Sequence, residues 1–227
     1  MKREIIKTAD GSATIYLPEW NEHYHSKHGA VQEALHVFIR TGLFYYQEKN
    51  HPEEISILEI GFGTGLNALL TFFEAERIPV KIAYTGIEAY PVSNEELQAL
   101  DYAAAITEDN ASEVFKKIHK ADWEKSSVIS PFFDLKKEKK FFSEIAATSE
   151  YDLIYFDAFG PRVQPDLWSE EVFENMYSAL KPGGVLVTYS AKGSVRRAMQ
   201  AAGFVVERLP GPPGKREMLR ATKLKQV

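Results

Sequence analysis

Leu58-Glu59-Ile60-Gly61-Phe62-Gly63-Thr64-Gly65-Leu66-Asn67 reads as a buried strand running into a glycine turn that opens a helix. Ile55, Ile57, Leu58 and Ile60 supply the apolar strand, and Leu66 to Phe73 supply the start of the helix. Between them glycines alternate at 61, 63 and 65. A residue without Cβ takes positive φ readily and lets a ligand approach the backbone closely. At the end of a parallel strand, such a turn lies where open α/β sheets bind nucleotide-like ligands.

The spacing of the turn separates two ligand classes. The dinucleotide fingerprint is G-x-G-x-x-G, whose third glycine allows close helix–strand packing under a pyrophosphate. Here the pattern is E-x-G-x-G-x-G, with Glu59 at the strand end. A carboxylate suits a cationic group better than a pyrophosphate. The adenosine ligand with a cationic amino-acid tail is S-adenosylmethionine. A second strand, Lys81 to Glu88, ends in an acid at the spacing from the turn at which a carboxylate accepts from ribose hydroxyls.

Working outward, Val92–Leu100 and Ala111–Trp123 read as helices, Tyr151–Asp157 as a central strand and Trp168–Leu180 as a helix stopped by Lys181-Pro182-Gly183-Gly184. Val185–Ser190 is the next strand and Val195–Ala201 the next helix. Gly203–Arg208 and Arg216–Ala221 are two last strands with no helix between them, hence antiparallel neighbours. Val128–Asp134 is a weaker strand, because Pro131 removes a ladder donor. Asp134 at its end is a candidate acceptor for an adenine amino group, or else a loop acid before a solvated Lys136–Lys140 run. Strands alternating with helices predict an α/β fold with a mostly parallel sheet covered on both faces. Residues 1–50 read as an N-terminal extension, with a short strand pair and a helix over roughly 29–46, on a single core domain of residues 51–227.

The bulk composition narrows the setting. The net charge is −5, yet from residue 192 onward nine lysines and arginines face only Glu207 and Glu217. Such asymmetry hints at a polyanionic partner. Cysteine is absent, which excludes disulfides and cysteine metal sites and fits a reducing cytoplasm. No signal-peptide core and no apolar run approaching ~18 residues is present, so neither export nor a membrane span is expected. His23, His25 and His28 stand at i, i+2 and i+5, which matches neither a zinc spacing nor one helical face, and no metal is expected. That segment is expected instead to fold over cofactor or substrate.

Asp157-Ala158-Phe159-Gly160-Pro161, continuing to Gln164-Pro165-Asp166-Leu167-Trp168, follows the central strand and lies beside the reacting end of a ligand in such a sheet. Phe159 offers a flat surface for stacking. Asp157 can accept hydrogen bonds from an amine nucleophile, orient it and take its proton. Asp166 suits a helix cap.

Taken together, Tyr24-His25-Ser26 with Gly29, Glu33 and Val37-Phe38, the Leu58–Asn67 turn, the Asp157–Pro161 and Pro165–Trp168 blocks, and Gly214-Lys215-Arg216-Glu217-Met218-Leu219 resemble the MnmC-type methyltransferases. These methylate the aminomethyl group of a modified wobble uridine in tRNA. The resemblance implies a Rossmann-like methyltransferase fold with seven strands, S-adenosylmethionine as donor, and the anticodon loop of tRNA as partner. It implies that Glu59, Gly61, Gly63 and Gly65 cradle the methionine part and Glu88 the ribose, and that Asp134 lies near the adenine, with Phe62, Asn67 and Asp157 also binding the cofactor. Asp157 and Phe159 would form the reacting end. Tyr24, Ser26, Arg162, Arg196, Arg197, Lys215, Arg216 and Glu217 would meet the substrate or the tRNA. The bacterial two-domain form adds a flavin-dependent oxidoreductase. No second glycine fingerprint offers an FAD site here, so the stand-alone methyltransferase is the expectation. Two rivals remain open: an enzyme on a free amine (a methyltransferase or a polyamine aminopropyltransferase), and a non-catalytic RNA- or nucleotide-binding module.

Overall fold

The computed structural model describes residues 3–7, 13–24, 29–100 and 106–225. At its centre is β4 (Glu54–Ile60), whose Ile55, Ile57, Leu58 and Ile60 are all buried. A strand apolar on both faces needs neighbours on both edges as well as layers above and below. β4 pairs in parallel with β5 (Lys81–Ile87) on one side and β8 (Tyr151–Phe156) on the other. Beyond β8 lie β9 (Leu180–Thr188), parallel to it, then β11 (Glu217–Thr222) and β10 (Val205–Pro210), both antiparallel to their neighbours. Beyond β5 lie β7 (Phe133–Glu138), parallel, and β6 (Ser126–Ser130), antiparallel at the edge. The sheet order is therefore β10-β11-β9-β8-β4-β5-β7-β6. The order in which successive strands are added reverses between β4 and β8, which run parallel, and a crevice opens at their carboxyl ends.

The sheet has eight strands where seven were expected. The extra one comes from the stretch around Pro131. The single strand expected over 128–134 is a hairpin, β6 and β7, and the proline sits in its turn, where its missing N–H costs nothing. The same register displaces Asp134. It pairs with Ala83 at the amino end of β7, while Glu138 occupies the carboxyl end opposite Ile87. The expected solvated lysine run is also partly buried, because β7 alternates inward and outward and turns Lys137 inward. Its ammonium donates to the His119 carbonyl at 3.0 Å and lies 5.0 Å from the Trp123 ring centroid.

Alternation along the strands sends successive residues to opposite layers. Ile57, Tyr155 and Val187 join the cluster that includes α3 (Leu66–Ala75) and α5 (Ala111–Lys120). Leu58, Ile154 and Leu186 join the one that includes α6 (Glu170–Ala179) and α7 (Gly193–Ala201). A short α4 (Asn94–Ala99) carries a capping box between Ser93 and Glu96. The helix cap expected at Asp166 falls instead to Ser169, whose hydroxyl accepts from the Val172 N–H.

Upstream, β1 (Glu4–Lys7), β2 (Ala13–Leu17) and β3 (Glu22–His23) form a separate antiparallel sheet. A continuous helical stretch follows as α1 (Ala30–Ala34), a π-helical segment (Leu35–Phe44) and α2 (Tyr45–Asn50). It packs on β8, β9 and β11. Gly42 sits where a Cβ would lie 3.0 Å from Val187. Asp152 locks this helix to the sheet. It accepts from the Tyr46 hydroxyl and the Ser56 N–H, each at 2.9 Å, and from the Lys181 ammonium at 2.8 Å.

Gly86 on β5 has no room for a side chain, since a Cβ there would meet the buried Phe62 ring at 2.3 Å. That ring is wedged between His119 and Trp123 and cannot swing away. Gly86→Ala is therefore expected to destabilise the fold by about 1–3 kcal/mol, the usual cost of overpacking. A fall in the thermal unfolding midpoint checks it.

Candidate active site

The glycine turn is built by backbone contacts with β5. The N–H groups of Gly61 and Phe62 both donate to the Ile87 carbonyl, at 3.1 and 2.9 Å. Gly61 has φ 88°, and a Cβ there would lie 2.7 Å from the Asp157 carbonyl. Only glycine lets the turn pass this close to the end of β8. Gly65 serves differently. It caps α3 in a left-handed conformation and packs against His119 and Phe62, away from the crevice.

Three carboxylates converge here. Glu59 is buried, its oxygens taken by the Tyr84 hydroxyl and the Asn67 amide nitrogen, each at 2.8 Å. The same amide nitrogen donates to Asp157 at 2.9 Å. An amide has two N–H groups, so it serves both acids at once and turns its oxygen away from them. That oxygen is buried without a protein partner. Glu88 accepts from the Gly63 N–H at 3.0 Å and the Tyr90 N–H at 2.9 Å. Burial pushes Glu59 well above the ordinary carboxylate range, aided by Asp157 and Glu88 and opposed by its hydrogen bonds. Asp157 keeps some surface open to the crevice, yet desolvation still pushes its carboxyl up to about 7. Asn67 and Lys215 hold it down and Glu33 lifts it.

The crevice is a cavity of about 410 Å³. Its floor is Glu59, Gly61, Phe62, Gly63, Asn67, Glu88 and Asp157. The N-terminal sheet roofs it with Leu17, Trp20, His23 and Tyr24. Trp20 and Tyr24 meet the Phe159 ring edge-on, with centroids at 5.7 and 5.0 Å. Arginines fasten the roof on two sides. Arg3 donates to Glu96 and to the Tyr90 carbonyl, each at 3.0 Å, and Arg162 bonds Glu22 at 3.1 Å. One end of the cavity is closed by Phe141, Phe142 and Ser143.

S-adenosylmethionine fits what these residues offer. The orphaned Asn67 oxygen awaits a donor such as an ammonium, and aromatic faces at Trp20, Tyr24 and Phe159 suit a sulfonium cation. Glu88 presents a carboxylate suited to ribose hydroxyls. Asp134 is not part of the site. It pairs with Lys81 at 2.7 Å on the far end of the strands, so the hairpin register overturns the expectation that it meets adenine. Ser26, with His25 and His28, lies outside the described residues.

A shallow depression adjoins the cavity across Tyr189, lined in part by Arg162, Lys192, Lys215, Arg216 and Glu217. Arg196 and Arg197 stand on the first turns of α7 and line neither hollow. Sequence reasoning missed Tyr84, Tyr189 and Glu33 as parts of the site. A tyrosine inside a central strand was the available signal for the first, since a buried hydroxyl needs a partner. Among the described residues no group of three or more acids and histidines could hold a metal ion, and no helix is long and apolar enough to cross a membrane.

A doubly wound sheet with a glycine turn, a strand-end acid and a cavity at the switch point describes a protein that binds a nucleotide-like cofactor. The model of an S-adenosyl-L-methionine-dependent methyltransferase family matches residues 109–224, and the chain belongs to that family. It is 30% identical over 227 residues to the tRNA 5-methylaminomethyl-2-thiouridine biosynthesis bifunctional protein MnmC of Cupriavidus metallidurans, covering 95% of this chain and 33% of that protein. The same-named protein of Burkholderia multivorans is 29% identical over 219 residues, covering 91% of this chain and 33% of its own. The chain thus spans about a third of the length of these relatives. Among solved structures, MNMC2 from Aquifex aeolicus superposes with a TM-score of 0.81 at 24% identity, over 100% of this chain and 72% of that one. Spermidine synthase from Thermotoga maritima gives 0.57 at 15%, over 99% and 69%. Both likenesses are of fold.

The raised Asp157 carboxyl has a consequence for stability. Its protonated form is favoured by folding, so that contribution is full below the ordinary aspartate range and is lost as pH rises through about 7. Asp157→Asn is therefore expected to raise the unfolding midpoint above that of the parent at alkaline pH, with the gap closing toward acid pH. Paired thermal melts across that window check the sign.

Proposed function

We propose that this chain transfers a methyl group from S-adenosylmethionine to the 5-aminomethyl group of the modified wobble uridine of tRNA, giving the 5-methylaminomethyl form. The observation that carries the reading is Asp157. It is a carboxyl at the cavity wall, hydrogen-bonded by Asn67 and pushed up by burial to about 7, beside the aromatic corner of Phe159, Trp20 and Tyr24. The names of the two bacterial relatives support tRNA as the substrate. The outer depression supports it too, since Arg162, Lys192, Lys215 and Arg216 line it beside the cavity, and such side chains serve as phosphate contacts. The same reading makes the protein cytoplasmic, with the anticodon loop as its partner and residues 1–50 an extension closing over the core of residues 51–227.

Asn67, the glycine turn and Glu88 hold the donor, and Phe159 with Trp20 and Tyr24 encloses its sulfonium end. When bound, the donor supplies an electrophilic methyl carbon on a sulfur that leaves as a neutral thioether with the bonding electron pair. An aminomethyl group arrives largely as an ammonium, whose lone pair is blocked. The Asp157 carboxylate takes one proton from it, which frees the nitrogen to form the new N–C bond. The methylated product departs as an ammonium, and Asp157 returns its proton to water. A carboxyl near 7 suits both halves of this exchange, because it accepts at physiological pH and releases again.

Incubation with labelled S-adenosylmethionine and tRNA bearing 5-aminomethyluridine, followed by nucleoside analysis, tests the proposal. Label in the 5-methylaminomethyl nucleoside is expected, whereas label found only in free amines would overturn it. Asp157→Ala is expected to retain S-adenosylhomocysteine binding and lose about 10²–10⁴-fold in kcat. Replacing Arg196 and Arg197 with alanine is expected to weaken tRNA binding and lower its salt slope by about 2, with cofactor affinity unchanged.

A further inference from the structure

Glu33 is a buried carboxylate that the mechanism above leaves unused. It projects from α1 with 8% of its surface exposed. Lys215, on the turn between β10 and β11, places its ammonium 2.5 Å from the Glu33 Oε2 and 3.9 Å from the centroid of the Tyr189 ring. Tyr189 in turn donates its hydroxyl to the Ala158 carbonyl at 2.8 Å, one residue beyond Asp157. A continuous line of contacts thus runs from α1 through the Lys215 turn and the Tyr189 ring to the backbone of the reacting loop. Burying such a pair adds little stability compared with apolar side chains of the same volume. Its position beside the reacting carboxylate gives it a different use.

Several elements bring groups to Asp157. Asn67 on α3 donates to it, Glu59 on β4 and Tyr84 on β5 lie behind Asn67, and Tyr189, just after β9, bonds the neighbouring Ala158 carbonyl. Glu33 acts on it from α1 and Lys215 from the β10–β11 turn. Of these charged groups Lys215 alone is a cation. Without it, the carboxylate would keep the Asn67 N–H as a donor but would have no cation to offset the surrounding acids.

We propose that Lys215 and Glu33 are a positioning pair for the amine transfer: the Lys215 ammonium keeps Asp157 ionised so that it can take the substrate's proton, and Glu33 holds that ammonium over Tyr189 and tempers its field. The inference rests on the reading of the site as an amine methyltransferase and adds Glu33 to its working parts. The two residues act on Asp157 with opposite sign, Lys215 lowering its pKa and Glu33 raising it.

The test is the pH dependence of kcat/KM on aminomethyl-uridine tRNA for the parent, Lys215→Met, Glu33→Gln, Lys215→Arg and the Glu33→Gln/Lys215→Met double variant. A carbon NMR titration of the Asp157 carboxyl in the same proteins reads the effect without turnover. The acid limb is expected to move to higher pH in Lys215→Met and to lower pH in Glu33→Gln, each by roughly half a unit or more. Lys215→Arg should keep the limb in place, and the double variant should return it toward the parent. Single variants that lose activity equally at every pH, or that move the limb in the same direction, would overturn the inference. A parent protein inactive on this tRNA would overturn the function reading and this inference with it, whereas an active parent with unmoved limbs would overturn the inference alone.

Discussion

The Asn67 side chain stands between two acids that would otherwise repel each other. Glu59 lies one residue before the end of the central strand, opposite Tyr155. Asp157 follows the end of the neighbouring strand, two residues beyond Tyr155, so strand alternation sends both carboxylates to the same face. A single amide, in the first turn of the helix that the glycines open, donates to both. Because its nitrogen is committed to the two acids, its oxygen is left buried without a protein partner. Tyr84 completes the arrangement by satisfying the second Glu59 oxygen, which leaves Glu59 a buttress for Asn67. The strand-end glutamate thus shapes the donor site chiefly through the asparagine it orients.

Around this floor the site is assembled from distant parts of the chain. The N-terminal sheet supplies an aromatic roof, and the β10–β11 turn supplies the cation beside Asp157. Arg162 belongs to the reacting loop yet bonds the roof at Glu22, so roof and loop share one polar fastening at the boundary between the cavity and the outer depression. The division of labour follows charge. Acids and aromatic rings line the inner hollow, and basic side chains mark the outer one.

Much of this was legible in the sequence where local chemistry dictates local structure. The Leu58–Asn67 turn, the strand ending at Glu88 and the loop after Asp157 all lie at the carboxyl ends of parallel strands, as their patterns required. Pro131 announced an interruption, yet it could not say whether the strand stopped or doubled back. The hairpin it makes moved Asp134 to the wrong end of the sheet and added the eighth strand. Lys137 looked solvated because lysine runs usually are, but strand alternation overrides composition and turned it onto Trp123. The partnership of Glu33 with Lys215 was invisible for another reason. It depends on how α1 and the last hairpin dock on the sheet, and no periodicity within either segment encodes that.

The wide separation of these partners also orders the birth of the site. The glycine turn, α3 and β5 follow one another closely, so the donor-binding half can take shape from neighbouring segments during synthesis. The half beside Asp157 cannot. His36 lies 2.8 Å from the Pro210 carbonyl across 174 residues, and Glu33 meets Lys215 across a similar span. Closing loops of that length costs entropy that only the finished sheet repays. A nascent chain still lacking its last hairpin therefore has the glycine turn and the acids around Asn67 but not the Lys215 ammonium that pairs with Glu33.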